Sequence, residues 1–205
     1  MGRPAKYSKE QILDAAAILT ARGGPTATTV VAIAEALGAP SGSIYHLFPS
    51  RDLIVATLWI RTVRRFQSGY LDALAHPDVR TARDRAVLHV LRWSAQNPDD
   101  ARVLTLHSRV ELLEAWPVEL GAELETLNDA VESAIVEHVR LSRGATTADA
   151  VSATYFALVG IPYSAVRFAM SAGEPLDGWL EAAVLRASAA VFDDPILTTS
   201  QKDTP

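Results

Sequence analysis

A chain of 205 residues, 49% of them hydrophobic, is long enough for one or two domains with a buried core. It has no cysteine, which excludes disulfides, cysteine-ligated zinc and thiol-based redox sensing. Its net charge of −5 is unevenly spread: residues 1–66 hold eight Lys/Arg against four Asp/Glu, a net +4, which leaves 11 against 20, or −9, for residues 67–205. A basic module for nucleic acid joined to an acidic body with another task is the pattern this split implies. No apolar run reaches the roughly 18–20 residues of a membrane span. The segment Met1-Gly2-Arg3-Pro4-Ala5-Lys6 lacks the apolar stretch of a signal peptide, so a cytoplasmic protein without membrane contact is expected.

Taken in chain order, almost every segment reads as helix. Ser8 can cap the first, and Gln11 three residues on completes a capping box. Ile12, Ala15, Ala16 and Leu19 share one face of it, and Arg22-Gly23-Gly24-Pro25 ends it. Thr28 or Thr29 caps a short second helix in which Val30, Ile33, Ala34 and Leu37 recur at helical spacing. Gly38-Ala39 makes a turn, and Pro40 is acceptable in the first turn of a third helix, Ser41–Leu47. Phe48-Pro49 stops that helix and Ser50 caps a fourth, over about residues 51–75, with Trp59, Val63, Phe66, Tyr70 and Ala73 as its buried stripe. Further helices are expected over about 79–96, 99–114, 117–143, 147–171 and 177–192, with a disordered tail over 196–205. The expected fold class is all-α with about nine helices.

Short helix, glycine turn, short helix is the geometry that sets a second helix into the major groove of DNA. Here the details also resemble a known family. The stretch Thr29-Val-Val-Ala-Ile-Ala-Glu-Ala-Leu-Gly-Ala-Pro-Ser-Gly-Ser-Ile-Tyr-His-Leu-Phe-Pro-Ser-Arg-Asp-Leu-Ile54 is similar to the TetR (tetracycline-repressor-like) regulators. It has the capping threonine, the Ile-Ala pair, the glycine turn, Gly-x-Ile-Tyr-x-x-Phe and the basic-acidic-Leu step, in that order. The detailed resemblance covers residues 8–55. It implies a DNA-binding helix-turn-helix domain over 1–50 and a ligand-binding and dimerisation domain over 51–195, linked by the helix from about 51 to 75.

Each matched position has a physical task. Ile33, Ala34, Leu37, Ile44 and Phe48 would fix the angle between the two short helices. Gly42, lacking a side chain, would let the helix approach the DNA backbone. Thr29 would cap its helix through the hydroxyl while its N–H faces a phosphate. The resemblance places Tyr45 against the backbone, and Ser41, Ser43 and His46 on the outer face can meet base edges or phosphates. Arg51, at the start of the fourth helix, would hold a phosphate, and Arg3 and Lys6 form a short basic arm. The chain departs from the family in having Ala39-Pro40 at the turn and no Lys or Arg between Ala39 and Ser50. The bidentate arginine–guanine contact is thereby lost from this helix, which shifts recognition toward backbone contacts and DNA shape.

The resemblance further implies a homodimer formed through the last two helices, about 147–171 and 177–192, and hence a roughly palindromic operator. The 147–171 segment is apolar nearly all round and should be covered on both sides. Thr146 with Asp149 resembles a capping box at its start, and Pro162 should kink it. Trp59, Trp93, His107, Trp116, Tyr155 and Arg167 are the residue types that could line a pocket for a small-molecule effector. Neither cofactor nor metal site is expected. Nothing points to an enzyme: there is no His-x-x-x-His, no Glu-x-x-His and no nucleophile elbow, and the i, i+4 pair His107/Glu111 reads as a surface pair. A helical adaptor would explain the apolar C-terminal helices but not the basic module or its motif order. The function expected is a DNA-binding transcriptional repressor, released from its operator by ligand.

Overall fold

The computed structural model describes residues 7–106, 117–144 and 146–193. Among these residues there is no strand. The helices are α1 (Lys9–Gly23), α2 (Val30–Leu37), α3 (Ser41–Leu47), α4 (Arg51–Leu74), α5 (Val79–Gln96), α6 (Pro98–Leu106), α7 (Gly121–Glu125), α8 (Asp129–Arg143), α9 (Ala148–Tyr155), α10 (Ile161–Ala172) and α11 (Trp179–Phe192). A π-helical turn, Phe156–Gly160, joins α9 to α10 without a break. The all-α expectation holds, and among the described residues nine helices result when α9 to α10 is taken as one and the five-residue α7 is set aside. The described residues form two compact units, one running to Arg64 and including Asn97–Leu127, the other comprising Arg65–Gln96 and the chain from Asn128 onward.

The first unit is built on caps that the sequence announces. Gln11 N–H donates to Ser8 Oγ and Ser8 N–H to Gln11 Oε1, so the capping box forms. Thr29, not Thr28, caps α2, receiving the Ala32 N–H at 3.1 Å. Thr28 is instead fully buried, its hydroxyl 2.7 Å from that of Thr20. Gly38 ends α2 with φ +60°, and the Ala39 N–H returns to the Ala34 carbonyl at 2.8 Å. This is a Schellman closure, which needs the left-handed conformation that glycine adopts without strain. Ser50 caps α4 by accepting from Leu53 N–H. Ile12, Ile33, Ile44, Phe48, Ile54 and Leu58 are each 0–1% exposed and make a common core, joined by Val103 of α6 and Leu124 of α7. Burial of such side chains contributes about 1.5–3 kcal/mol each, so this core sets the angle of α3 against α2. Arg61 of α4 ties to α1, its Nη1 donating to Glu10 and Asp14 at 2.8 Å each.

The second unit packs α5, α8, the α9–α10 helix and α11 with the C-terminal half of α4 around Tyr70, Val87, Leu91, Ile135 and Leu158. Pro162 disturbs the α9–α10 ladder, as the sequence implies, but a π turn forms. The Ile161 N–H reaches back five residues to the Phe156 carbonyl, and Pro162 has no N–H to give. The carbonyls of Ala157 and Leu158 thereby lose their α-helical donors. Ser188 Oγ donates to the first at 2.9 Å and Tyr70 Oη to the second at 3.2 Å, both buried. Burial, and secondarily the neighbouring Tyr155, raises the Tyr70 pKa and keeps the phenol a donor.

Two sequence expectations need correction here. Residues 117–143 are not one helix: a 3-10 turn (Val118–Leu120), α7 and a turn precede α8. The cap of α9 is Thr147, whose Oγ1 accepts the Ala150 N–H at 3.2 Å, and Thr146 lies outside it, exposed. Within the single chain, Tyr155, Phe156 and Phe168 of the 147–171 segment are 44–56% exposed. The expected helix over 99–114 is described only to Leu106, and the expected tail over 196–205 lies outside the described residues.

Candidate nucleic-acid interface

The interface begins with how α3 is held. Ile44 is fully buried and Phe48, just beyond the helix, is 1% exposed, so these two side chains fix one face of α3 in the core. The opposite face is thereby turned out. Gly42, Tyr45 and His46 are exposed there, whereas Ser41 and Ser43 are half-buried. Tyr45 is 53% exposed, and its side chain, like that of His46, makes no hydrogen bond among the described residues. A methyl group placed at Gly42 would meet nothing within 4 Å. Nor does Gly42 have a positive φ. Neither packing nor backbone conformation within the described chain therefore calls for glycine at this position, although glycine costs a helix about 0.5–1 kcal/mol relative to alanine.

The flanking residues are more engaged than the sequence suggested. Thr29 caps α2, but its N–H donates to the Ala27 carbonyl at 3.0 Å and is not held open for a phosphate. Arg51, the first residue of α4, donates from Nε to the Thr28 carbonyl at 2.8 Å and from Nη1 to Asp52 at 3.0 Å. Its side chain remains 37% exposed. Arg51 thus joins the start of α4 to the turn that precedes α2. Arg3 and Lys6 lie outside the described residues.

Two residues the sequence reading passed over also belong here. Tyr7 Oη donates to the Gly38 carbonyl at 3.0 Å, across 31 positions of sequence. Lys9 Nζ lies 5.4 Å from the centre of the Phe48 ring, a cation–π contact. A tyrosine ahead of a capping box carries no local signal of either contact, because both depend on tertiary packing.

The described effector candidates are divided between the two units. Trp59 is 6% exposed and belongs to the core of the first unit. Trp93 belongs to the second, where its ring meets Phe66 edge-on at 5.3 Å, and Arg167 is exposed. His107 and Trp116 lie outside the described residues. What the second unit does assemble is a ring cluster of Phe66, Tyr70, His89 and Trp93. His89 Nε2 lies 3.0 Å from the Phe66 carbonyl, which can only accept, so Nε2 is the protonated nitrogen. Desolvation lowers the His89 pKa, against the smaller opposing effect of that hydrogen bond. The i, i+4 spacings 66/70 and 89/93 were the available sequence signal for this cluster. Among the described residues no group of three or more His, Cys, Asp or Glu could hold a metal ion, and no helix is long and apolar enough to cross a membrane.

Comparison with known proteins bears on both parts of the chain. Residues 12–58 match the family model of bacterial regulatory proteins of the tetR family. The nucleoid occlusion factor SlmA of Actinobacillus pleuropneumoniae serotype 5b (strain L20) is 28% identical over 106 residues, 50% of this chain and 52% of that protein. The chain thus spans about half the length of the curated relatives it matches. The TetR family transcriptional regulator PfmR from Thermus thermophilus superposes over 88% of this chain and 96% of its own, with a TM-score of 0.68 and 20% identity. The transcriptional regulator FadR from Bacillus subtilis, solved in complex with stearoyl-CoA, covers 91% and 98% with a TM-score of 0.68 and 16% identity. At these identities the structural likeness shows the fold.

Proposed function

We infer that this chain, a TetR family regulator by its N-terminal domain and its fold, is a transcriptional repressor that a small molecule releases from a palindromic operator. The observation that carries the DNA-binding part is the outward face of α3. Ile44 and Phe48 anchor the helix, and Gly42, Tyr45 and His46 are left exposed without a task inside the described chain. In this reading α3 enters the major groove with Ser41, Ser43 and His46 near base edges and Gly42 close to the backbone. Tyr45, Arg51 and Thr29, the last through its hydroxyl proton, bear on the sugar-phosphate backbone, and Arg3 and Lys6 add charge. Residues 1–50 are the DNA-binding domain and 51–195 the effector and dimerisation domain.

The exposed aromatics of the second unit support a homodimer through α9–α10 and α11. The effector is a small molecule of the cell interior, taken up by the effector domain. Of the candidates from the sequence, Trp93 and Tyr155 stay in this proposal, with Phe66 and His89 added from the ring cluster, and Trp59, His107, Trp116 and Arg167 are retained from the sequence. Release follows if ligand binds the DNA-incompetent state better than the competent one.

A gel shift on the duplex flanking the protein's own gene, run across a salt series, tests the reading. Binding should weaken steeply with salt, because cationic side chains displace counterions from the phosphates. Absence of a shift on any duplex, at low salt as well, would overturn it.

A further inference from the structure

Lys9 stands where the helix it opens does not favour it. Ser8 caps α1, so Lys9 is the first helical residue, and there the positive end of the helix dipole acts against a cation. No carboxylate compensates. Glu10 and Asp14, the acids of α1, both turn to Arg61, and the reciprocal partner in the capping box is the neutral Gln11. Lys9 is exposed and makes neither an ion pair nor a side-chain hydrogen bond among the described residues. What holds its ammonium is the ring of Phe48, whose centre lies 5.4 Å from Nζ, an attraction that leaves the N–H donors unused. Phe48 directly follows α3. Tyr7, two residues before Lys9, donates to the carbonyl of Gly38, in the turn before α3. The start of α1 is thus tied to both ends of α3 and lies along its flank. A helix lodged in the major groove has a phosphate strand on either side, so a cation beside α3 rather than on it stands over a groove wall.

We propose that Lys9 is a phosphate-binding residue of the DNA interface, its ammonium aimed by the Phe48 ring at the strand that flanks the C-terminal end of α3. This rests on the DNA-binding reading above. Lys9 supplies a cation to a recognition segment that has none between Ala39 and Ser50. Arg51, the next cation along the chain from α3, is engaged with the Thr28 carbonyl and Asp52. A contact to phosphate fixes how α3 sits in the groove and carries no sequence information of its own.

The test uses the full chain and fluorescence anisotropy across a salt series, on the duplex flanking its own gene and on a scrambled duplex. Lys9→Met keeps an unbranched stem against the Phe48 ring and removes the charge. It should make the slope of log K against log salt shallower by about 0.9 per protomer and weaken binding about tenfold per protomer at about 0.1 M salt. Both duplexes should lose the same factor, because a phosphate contact is blind to sequence. Lys9→Arg should restore the slope. Lys9→Glu places an acid where the helix dipole favours one, so it should hold or raise the urea midpoint while weakening DNA binding further than Lys9→Met does. That opposition separates a DNA contact from a packing role. An unchanged slope for Lys9→Met would reduce Lys9 to a cover for Phe48 and overturn the proposal. A loss confined to the flanking duplex would assign Lys9 to a base edge and overturn it as well. Failure of the unaltered chain to bind any duplex would instead overturn the DNA-binding reading itself.

Discussion

Gly42 is where the physical argument for a DNA-facing surface is sharpest. Glycine in a helix gives up about 0.5–1 kcal/mol relative to alanine, and at Gly42 neither a neighbour within 4 Å of a Cβ nor a positive φ accounts for it. Gly42→Ala should therefore leave the urea midpoint unchanged or slightly raised while lowering DNA affinity, because the added methyl meets the backbone of the duplex. Chemical denaturation and anisotropy on one preparation separate the two effects. Unchanged affinity would mean that α3 does not approach DNA at this residue. Arg51 stands in contrast, since its link to the Thr28 carbonyl gives it a share in folding as well. A loss of DNA binding on its removal alone would not distinguish a phosphate contact from a displaced α4.

At the scale of elements, the bond inventory around Pro162 makes a prediction that no residue makes alone. Ser188→Ala leaves the buried Ala157 carbonyl without its hydroxyl donor, a loss of about 1–3 kcal/mol. Pro162→Ala restores an N–H to the ladder, so the same serine substitution should be milder in that background. Urea melts of the four chains in the cycle give the coupling, and strict additivity would show that the π turn does not depend on the proline. The elements also show what could be read from the chain. Ser8, Gly38 and Ser50 fixed ends of the first helices because caps and left-handed turns are local chemistry, whereas local chemistry left Thr28 and Thr29 as alternatives for the cap of α2. Periodicity recovered Ile33 as core for the same reason, whereas Ile44 and Phe48 were legible as core through the family resemblance. The π turn was out of reach: a missing N–H is visible at Pro162, but the donors that answer it, Tyr70 and Ser188, come from helices far away in sequence. Thr147 in place of Thr146 was a choice between adjacent threonines that sequence does not separate. The Tyr7–Gly38 bond was invisible for want of any local pattern, and aromatic residue type does not distinguish core from pocket, as the place of Trp59 in the first unit's core illustrates.

For the whole molecule, the question is what covers the second unit. Tyr155 is 44% exposed, Phe156 56%, Phe168 55% and Trp179 62%, all on the α9–α10 helix and α11 of one unit. The backbone has made room for one of these rings: a methyl at Gly160 would come within 2.8 Å of the Phe156 ring. Leaving four aromatic side chains half in water forgoes about 1 kcal/mol apiece relative to full burial, and a patch of that kind marks an interaction surface. A second copy of the chain is the occupant that also serves an operator with two half-sites, since an isologous dimer presents two copies of α3 related by a two-fold axis. Phe168→Asp would place a charge in that interface, where desolvation and like-charge repulsion across the axis both act against association. Sedimentation should then show a dimer for the unaltered chain and a monomer for Phe168→Asp, with the helical circular dichroism largely retained because Phe168 is outside the unit's own core. DNA affinity should fall steeply and depend on protein concentration, because the two half-sites are no longer engaged as one unit. A Phe168→Asp chain that remains dimeric and binds DNA as before would assign the exposed rings to some other partner.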